Sequence, residues 1–128
     1  MDKANEQFAE LLSALRKCKH YCPWTKEQSV KSYLNELVDE TREVKEAIEK
    51  NDIENLKEEL GDVIWDVLMM AHIAEDQGLF KVEEVIESIV KKMKRRKPYA
   101  FEGRDVTRQE AEIIWKEAKQ AEKDGNLS

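Results

Sequence analysis

Between Leu56 and Ala71 apolar residues recur at helical spacing, through Leu56, Leu60, Val63, Ile64, Val67 and Leu68, and this segment limits the fold more than any other. An apolar stripe of that period is buried against other helices. Here it is wider than one stripe, because Val63-Ile64-Trp65 and Val67-Leu68-Met69-Met70-Ala71 carry apolar character around more than one face. Such a helix is expected to touch its own bundle and a second subunit as well. Only four Gly and two Pro punctuate 128 residues, and 39% of the chain is charged against 41% hydrophobic, which disfavours a turn-rich β-sandwich. The expectation is an all-α bundle of about five helices, oligomeric, with residues 1–128 forming one domain.

The helix signals follow along the chain. A first helix over about Lys3 to His20 groups Phe8, Leu11, Leu12, Leu15 and Cys18 and stops before Cys22-Pro23-Trp24. Thr25 with Gln28 resembles a capping box that opens a second helix, about Lys26 to Lys50, ended near Asn51-Asp52. The third runs up to Gly78, and the short connection makes the two antiparallel neighbours. A fourth, about Val82 to Lys97, turns Val82, Val85, Ile86, Ile89 and Met93 to the core and ends in cations before Pro98. Thr107 with Glu110 caps a fifth, Arg108 to Lys123, and Asp124 to Ser128 should fray.

With 22 Lys plus Arg against 28 Asp plus Glu, the net charge is −6, which argues against nucleic-acid or anionic-membrane partners drawn by bulk charge. An anionic ligand must be captured locally. No run approaches the roughly 18 apolar residues of a membrane span, and MDKANEQFAELL lacks the basic and apolar regions of a leader, so a cytoplasmic protein is expected. Cys18 and Cys22, spaced i, i+4, are too few for a zinc site and are expected to be reduced structural thiols.

On the second helix the core stripe is Val30, Tyr33, Leu34, Leu37, Thr41, Val44 and Ile48, and Glu36, Glu40 and Glu43 lie about 80 to 140° to one side of it. On the third the stripe is Leu60, Val63, Ile64, Val67 and Ala71, and Glu59, Asp62 and Asp66 lie about 100 to 160° to that same side. In an antiparallel hairpin the two acidic edges converge, and Glu40, Glu43, Glu59 and Asp62 would repel unless a cation lies among them. Oxygen-only ligands favour Mg²⁺, with Mn²⁺ as a substitute. Taken singly, each pair reads as a solvated helix face; the matched phase on neighbouring helices points to a metal. Di-iron bundles need Glu-x-x-His, and neither His20 nor His72 has a Glu three residues before it. His72 is read as a packed or interface histidine and His20 as a helix-end residue.

At these residues the chain resembles a family. Asp39-Glu40-Thr41-Arg42-Glu43, fifteen further residues, then Glu59-Leu60-Gly61-Asp62 is similar to the E-E-x-x-E, spacer, E-x-x-D signature of the MazG-type nucleoside triphosphate pyrophosphohydrolases. Cys22-Pro23-Trp24-Thr25-Lys26-Glu27-Gln28-Ser29 resembles that family's C-P-W-D-x-x-Q-T segment. Lys92-Met93-Lys94-Arg95-Arg96-Lys97-Pro98-Tyr99-Ala100-Phe101 resembles its K-x-x-R-R-H-P-H-V-F segment, and Ile114-Trp115-Lys116 extends the likeness to about residue 120. Asp39, Thr25, Lys97 and Tyr99 depart from the pattern.

The resemblance implies hydrolysis of an NTP or dNTP between the α and β phosphates, giving a monophosphate and pyrophosphate. A house-cleaning role on cellular or non-standard nucleotides is expected, and the second apolar face of the third helix calls for a homodimer or a dimer of dimers. Glu40, Glu43, Glu59 and Asp62 would be metal ligands. Glu40, Glu43 or Asp39 would take the water's proton. Lys92, Arg95 and Arg96 would meet the triphosphate, and Trp24, Trp115 and Gln28 the base. Taken on its own, the basic run reads first as a helix C-terminus complementing its dipole and each tryptophan as core; the acidic pocket and the family-like segments shift the balance towards the substrate. The alternative function is a non-catalytic helical module that binds a partner or a nucleotide.

Overall fold

The computed structural model describes residues 2–125, and these form seven helices with no strand among them. They are α1 (Lys3–Tyr21), α2 (Pro23–Lys26), α3 (Val30–Glu49), α4 (Ile53–Asp76), α5 (Val82–Arg96), α6 (Pro98–Phe101) and α7 (Arg108–Lys123). The five long helices are those expected from the apolar periodicity. The two additional ones are single four-residue turns, each opening on a proline, Pro23 or Pro98, whose fixed φ and missing N–H suit a first helical position. Of the tail expected to fray, 126–128 lie outside the described residues. No helix among the described residues is long and apolar enough to cross a membrane. The chain divides into two compact units, Met1–Val82 and Glu83–Ser128.

In the first unit, α3 begins later than the Thr25–Gln28 spacing suggests. The Ser29 hydroxyl accepts from the Ser32 N–H at 3.0 Å, and Ser32 Oγ accepts from the Ser29 N–H at 2.8 Å, so the reciprocal cap sits at Ser29. Thr25 is buried in α2 instead. Gln28 bridges the two helices, its Nε2 donating to the Trp24 carbonyl and its Oε1 accepting from Ser32 Oγ. At the far end Asn51 takes φ 53°, and the Asp52 N–H reaches back to the Ala47 carbonyl at 3.0 Å. Asp52 then caps α4 through the Asn55 N–H at 3.1 Å. Three residues therefore close one helix and start the next, so α3 and α4 lie antiparallel and pack more extensively than any other pair. Gly78, at φ 75°, ends α4, with the Leu79 N–H donating to the Ala74 carbonyl.

The core of this unit is Leu15, Tyr33, Leu68, Met69 and Ile73, with Leu11, Leu12, Cys18, Val30, Trp65 and Met70 packed against it. It therefore joins α1, the start of α3 and the second half of α4. The stripe projected for α4 is rotated from the one observed: Leu60, Ile64 and Val67 are exposed, whereas Leu68, Met69, His72 and Ile73 are buried. The reason is that α4 packs against both α3 and α1, and a projection of one helix averages over two neighbours that cover different lengths of it. His72 is packed as expected, with Nδ1 2.8 Å from the Leu68 carbonyl oxygen. Cys18 and Cys22 are free thiols.

In the second unit, α7 is capped as its sequence indicates, the Thr107 hydroxyl accepting from the Glu110 N–H at 3.1 Å. Leu15 is fully buried, so Leu15→Ala should cost about 2 to 5 kcal/mol in urea unfolding, the range for a truncated core leucine. A loss below about 1 kcal/mol would mean that α1 does not close the core.

Candidate functional site

Glu40 and Glu43 stand three residues apart on α3, and Glu59 approaches them from α4, as the hairpin geometry requires. Oxygen atoms from the three carboxylates all lie within 4.8 Å of one another. Oε2 of Glu40 and Oε2 of Glu59 are buried without a hydrogen-bond partner. Burial, then hydrogen bonding to Glu59 and Glu43, pushes Glu40 up to about 8, with the charges of Glu43 and Asp62 acting in the same direction. Glu59 is raised too, chiefly by its contact with Glu43. Three acidic groups so close resist simultaneous ionisation unless a cation neutralises them. An all-oxygen donor set with two unsatisfied buried oxygens fits a hard divalent ion, so Glu40, Glu43 and Glu59 could hold a metal.

The other carboxylates divide around this trio. Asp62 is exposed and lies outside the converging oxygens, but its charge is felt by Glu40 and Glu59. Asp39 is exposed and faces Arg42 at 3.4 Å. Asp66, one turn beyond Asp62, is buried with Oδ2 unpartnered; burial, then the charges of Glu36 and Asp62, push it up to about 6. The acidic edge thus continues into the protein past the trio. Tyr33, buried beside it, meets Trp24 edge to face with centroids 5.7 Å apart, while Trp24 keeps about half its surface exposed. Gln28, expected beside the base, is engaged in the α2–α3 bridge.

The second unit carries the basic run. Lys92, Arg95 and Arg96 are half-buried, and Arg96 lies over the face of Trp115, 4.8 Å from the ring centroid, with Lys97 Nζ 5.6 Å from the same ring. Both arginines are tied to Glu122 of α7: Arg96 Nη2 donates to Oε1 at 2.9 Å, and each Nε lies 3.3 Å from Oε2. The hydrogen bond from Arg96, and then that from Arg95, lowers Glu122 from its ordinary value against the opposing effect of burial, with the charge of both arginines acting in the same direction as the bonds. Trp115 also lines an open cavity of about 260 Å³ with Lys97, Tyr99, Arg108 and Lys116. Glu122 goes unmarked in the sequence because it is one of many helical glutamates and sits 26 residues from Arg96. Its place seven residues after Trp115, two turns along one face, was the available signal.

Helices without a strand among the described residues, with a glutamate trio on an antiparallel hairpin, define a class, and known proteins match it. A family model described as the MazG nucleotide pyrophosphohydrolase domain matches residues 28–101. The crystal structure of a MazG-related protein from Thermotoga maritima superimposes with a TM-score of 0.83 at 39% identity, covering 88% of this chain and 98% of that one. The chain therefore belongs to the MazG nucleotide pyrophosphohydrolase domain family. The nucleoside triphosphate pyrophosphohydrolase/pyrophosphatase MazG of T. maritima is 37% identical over 79% of this chain and 40% of its own length. The nucleoside triphosphate pyrophosphohydrolase of Escherichia coli K12 is 32% identical over 75% of this chain and 36% of its own. The uncharacterized protein YabN of Bacillus subtilis is 37% identical over 95% of this chain. The chain spans only 26% of YabN's length, so it corresponds to part of each of these relatives.

Raised carboxylates set a pH dependence. Asp66 and Glu40 bind protons more tightly in the folded chain than in the unfolded one, so metal-free stability should fall as pH rises from the ordinary carboxylate range through about 6 and on to about 8. Urea midpoints should accordingly drop between pH 5 and 8. Asp66→Asn should flatten the lower part of that decline, and millimolar Mn²⁺ the upper part. Midpoints that rise with pH in the metal-free protein would contradict this.

Proposed function

We propose that this chain hydrolyses nucleoside triphosphates between the α and β phosphates, releasing a nucleoside monophosphate and pyrophosphate, with Mg²⁺, or Mn²⁺ in its place, at Glu40, Glu43 and Glu59. The observation that carries the reading is the convergence of three carboxylates with two buried, unpartnered oxygens on a hairpin of the MazG family. When bound, the ion would screen the phosphate charge and orient a water. Asp62 adds negative charge at the rim, which strengthens cation capture. The attacking water's proton passes to a carboxylate of the cluster. Glu43, the exposed member, has room for that water, and Asp39 lies farther out, paired with Arg42. In the second unit, Lys92, Arg95 and Arg96 would offset phosphate charge and Trp115 would offer a face for a base; in the first, the half-exposed Trp24 would offer such a face. The substrates would be cellular or non-standard nucleotides of the cytoplasm.

The protein would act as a homodimer or a dimer of dimers. Leu34 and Val38 of α3 and Leu60, Ile64 and Val67 of α4 are large apolar side chains left between two-fifths and half exposed in the single chain, and a second copy would cover them. Light scattering at micromolar concentration should give at least twice the 15.0 kDa chain mass, and a purely monomeric species would overturn the assembly.

Activity is tested by pyrophosphate release from a panel of NTPs and dNTPs with and without Mg²⁺. Release should require the metal and fall about 100-fold or more in Glu40→Gln, the scale for removing a group that holds the reacting assembly. Diphosphate and orthophosphate as products, or equal release without metal, would refute the reading. Nucleotide binding without turnover would favour a non-catalytic module.

A further inference from the structure

Glu122 is tied to both members of the arginine pair, and its geometry is specific. Its two oxygens take the Nε and Nη2 edge of Arg96, at 3.3 and 2.9 Å, and the ring of Trp115 lies against the guanidinium face. The Arg96 and Glu122 side chains are 14% and 17% exposed, so this is not a solvated surface pair. A guanidinium has five N–H donors in a rigid fork, and engaging one edge and one face fixes the plane in which the remaining Nη1 edge points. Arg95 shares the same Oε2 at 3.3 Å, so one carboxylate stands between two guanidinium groups and the cluster stays cationic. A flexible arginine must lose side-chain freedom when it grips a phosphate; one already clamped has lost it on folding.

We propose that Glu122 is a positioning residue for triphosphate recognition: by clamping Arg96 against Trp115, and drawing in Arg95, it presets the guanidinium edge that receives a phosphate oxygen. This rests on the reading that Arg96 meets the triphosphate. Two other roles are physically open to the same contacts. A bridge joining α5 to α7 would matter for stability alone, and an internal anion competing with phosphate would weaken binding by its presence. The bidentate geometry favours preorganisation, because it occupies one edge of Arg96 and leaves the Nη1 edge outside that contact.

The test uses the full chain and reads binding separately from turnover. Affinity for inorganic tripolyphosphate is measured calorimetrically without metal, together with KM and kcat for the nucleotide that wild type hydrolyses. Glu122→Gln should weaken tripolyphosphate about tenfold and raise KM in step while kcat changes less than about twofold, as loss of a preset phosphate contact requires. Glu122→Asp, which keeps the charge, should restore part of the affinity, and Arg96→Ala should lose at least as much as Glu122→Gln. Unchanged affinity alongside a lowered Tm would reduce Glu122 to a structural bridge and overturn the proposal. Tighter binding in Glu122→Gln would make Glu122 a competitor and overturn it as well, and so would Arg96→Ala binding like wild type. A wild type that binds tripolyphosphate but releases pyrophosphate from no nucleotide would defeat the hydrolase reading alone, leaving the clamp to be judged on affinity.

Discussion

The close approach of Glu40, Glu43 and Glu59 is the constraint on which the first unit turns. Three carboxyl groups with oxygens within 4.8 Å of one another oppose, whenever they ionise together, the fold that assembles them. That opposition is overcome elsewhere, in the contacts of Leu15, Tyr33, Leu68, Met69 and Ile73 that pin α1, α3 and α4 together. The three-residue connection at Lys50, Asn51 and Asp52 then leaves little freedom in how the hairpin closes, and the carboxylates meet at its edge. Without a cation the cluster relieves this repulsion by holding protons, as the raised Glu40 and Glu59 record; a divalent ion at the proposed site would relieve it instead and displace those protons.

The second unit meets the opposite problem. Two adjacent arginines and a lysine on one helical turn would repel one another and move freely, yet Glu122 and Trp115 hold the arginines in a half-buried cluster. Acidic and basic groups are thus each preorganised within their own unit. A molecule of net charge −6 needs such local fixation if it is to take up a polyanion, since its long-range field works against capture.

Much of this was legible in the sequence because it depends on local rules. Helical phase alone places Glu40, Glu43 and Glu59 on facing edges, and the Asn51-Asp52 pair marks the turn that brings the edges together. What depends on more than one neighbour was not legible. The buried arc of α4 is set jointly by α1 and α3, so Leu60 and Ile64 fall outside it although their spacing suits a core. The cap of α3 passed from Thr25 to Ser29 because Ser29 and Ser32 satisfy each other's backbone, a pairing of two serines that the usual Ser/Thr-to-Glu/Gln pattern does not include. Asp62 shares the phase of Glu59 but not its burial, and the projection carries no depth. Glu122 shares a face of α7 with Trp115, but its pairing with the arginines of α5 joins helices far apart in sequence, which the spacing within α7 does not record.

The claim that the glutamate trio is a metal centre is tested most directly by anomalous diffraction from crystals grown with Mn²⁺. The account predicts a manganese peak among Glu40, Glu43 and Glu59, at oxygen-ligand distances of about 2.0 to 2.6 Å, that disappears in Glu40→Gln. A peak bound elsewhere, or no peak at millimolar Mn²⁺ above pH 8, where Glu40 is free to ionise, would contradict it.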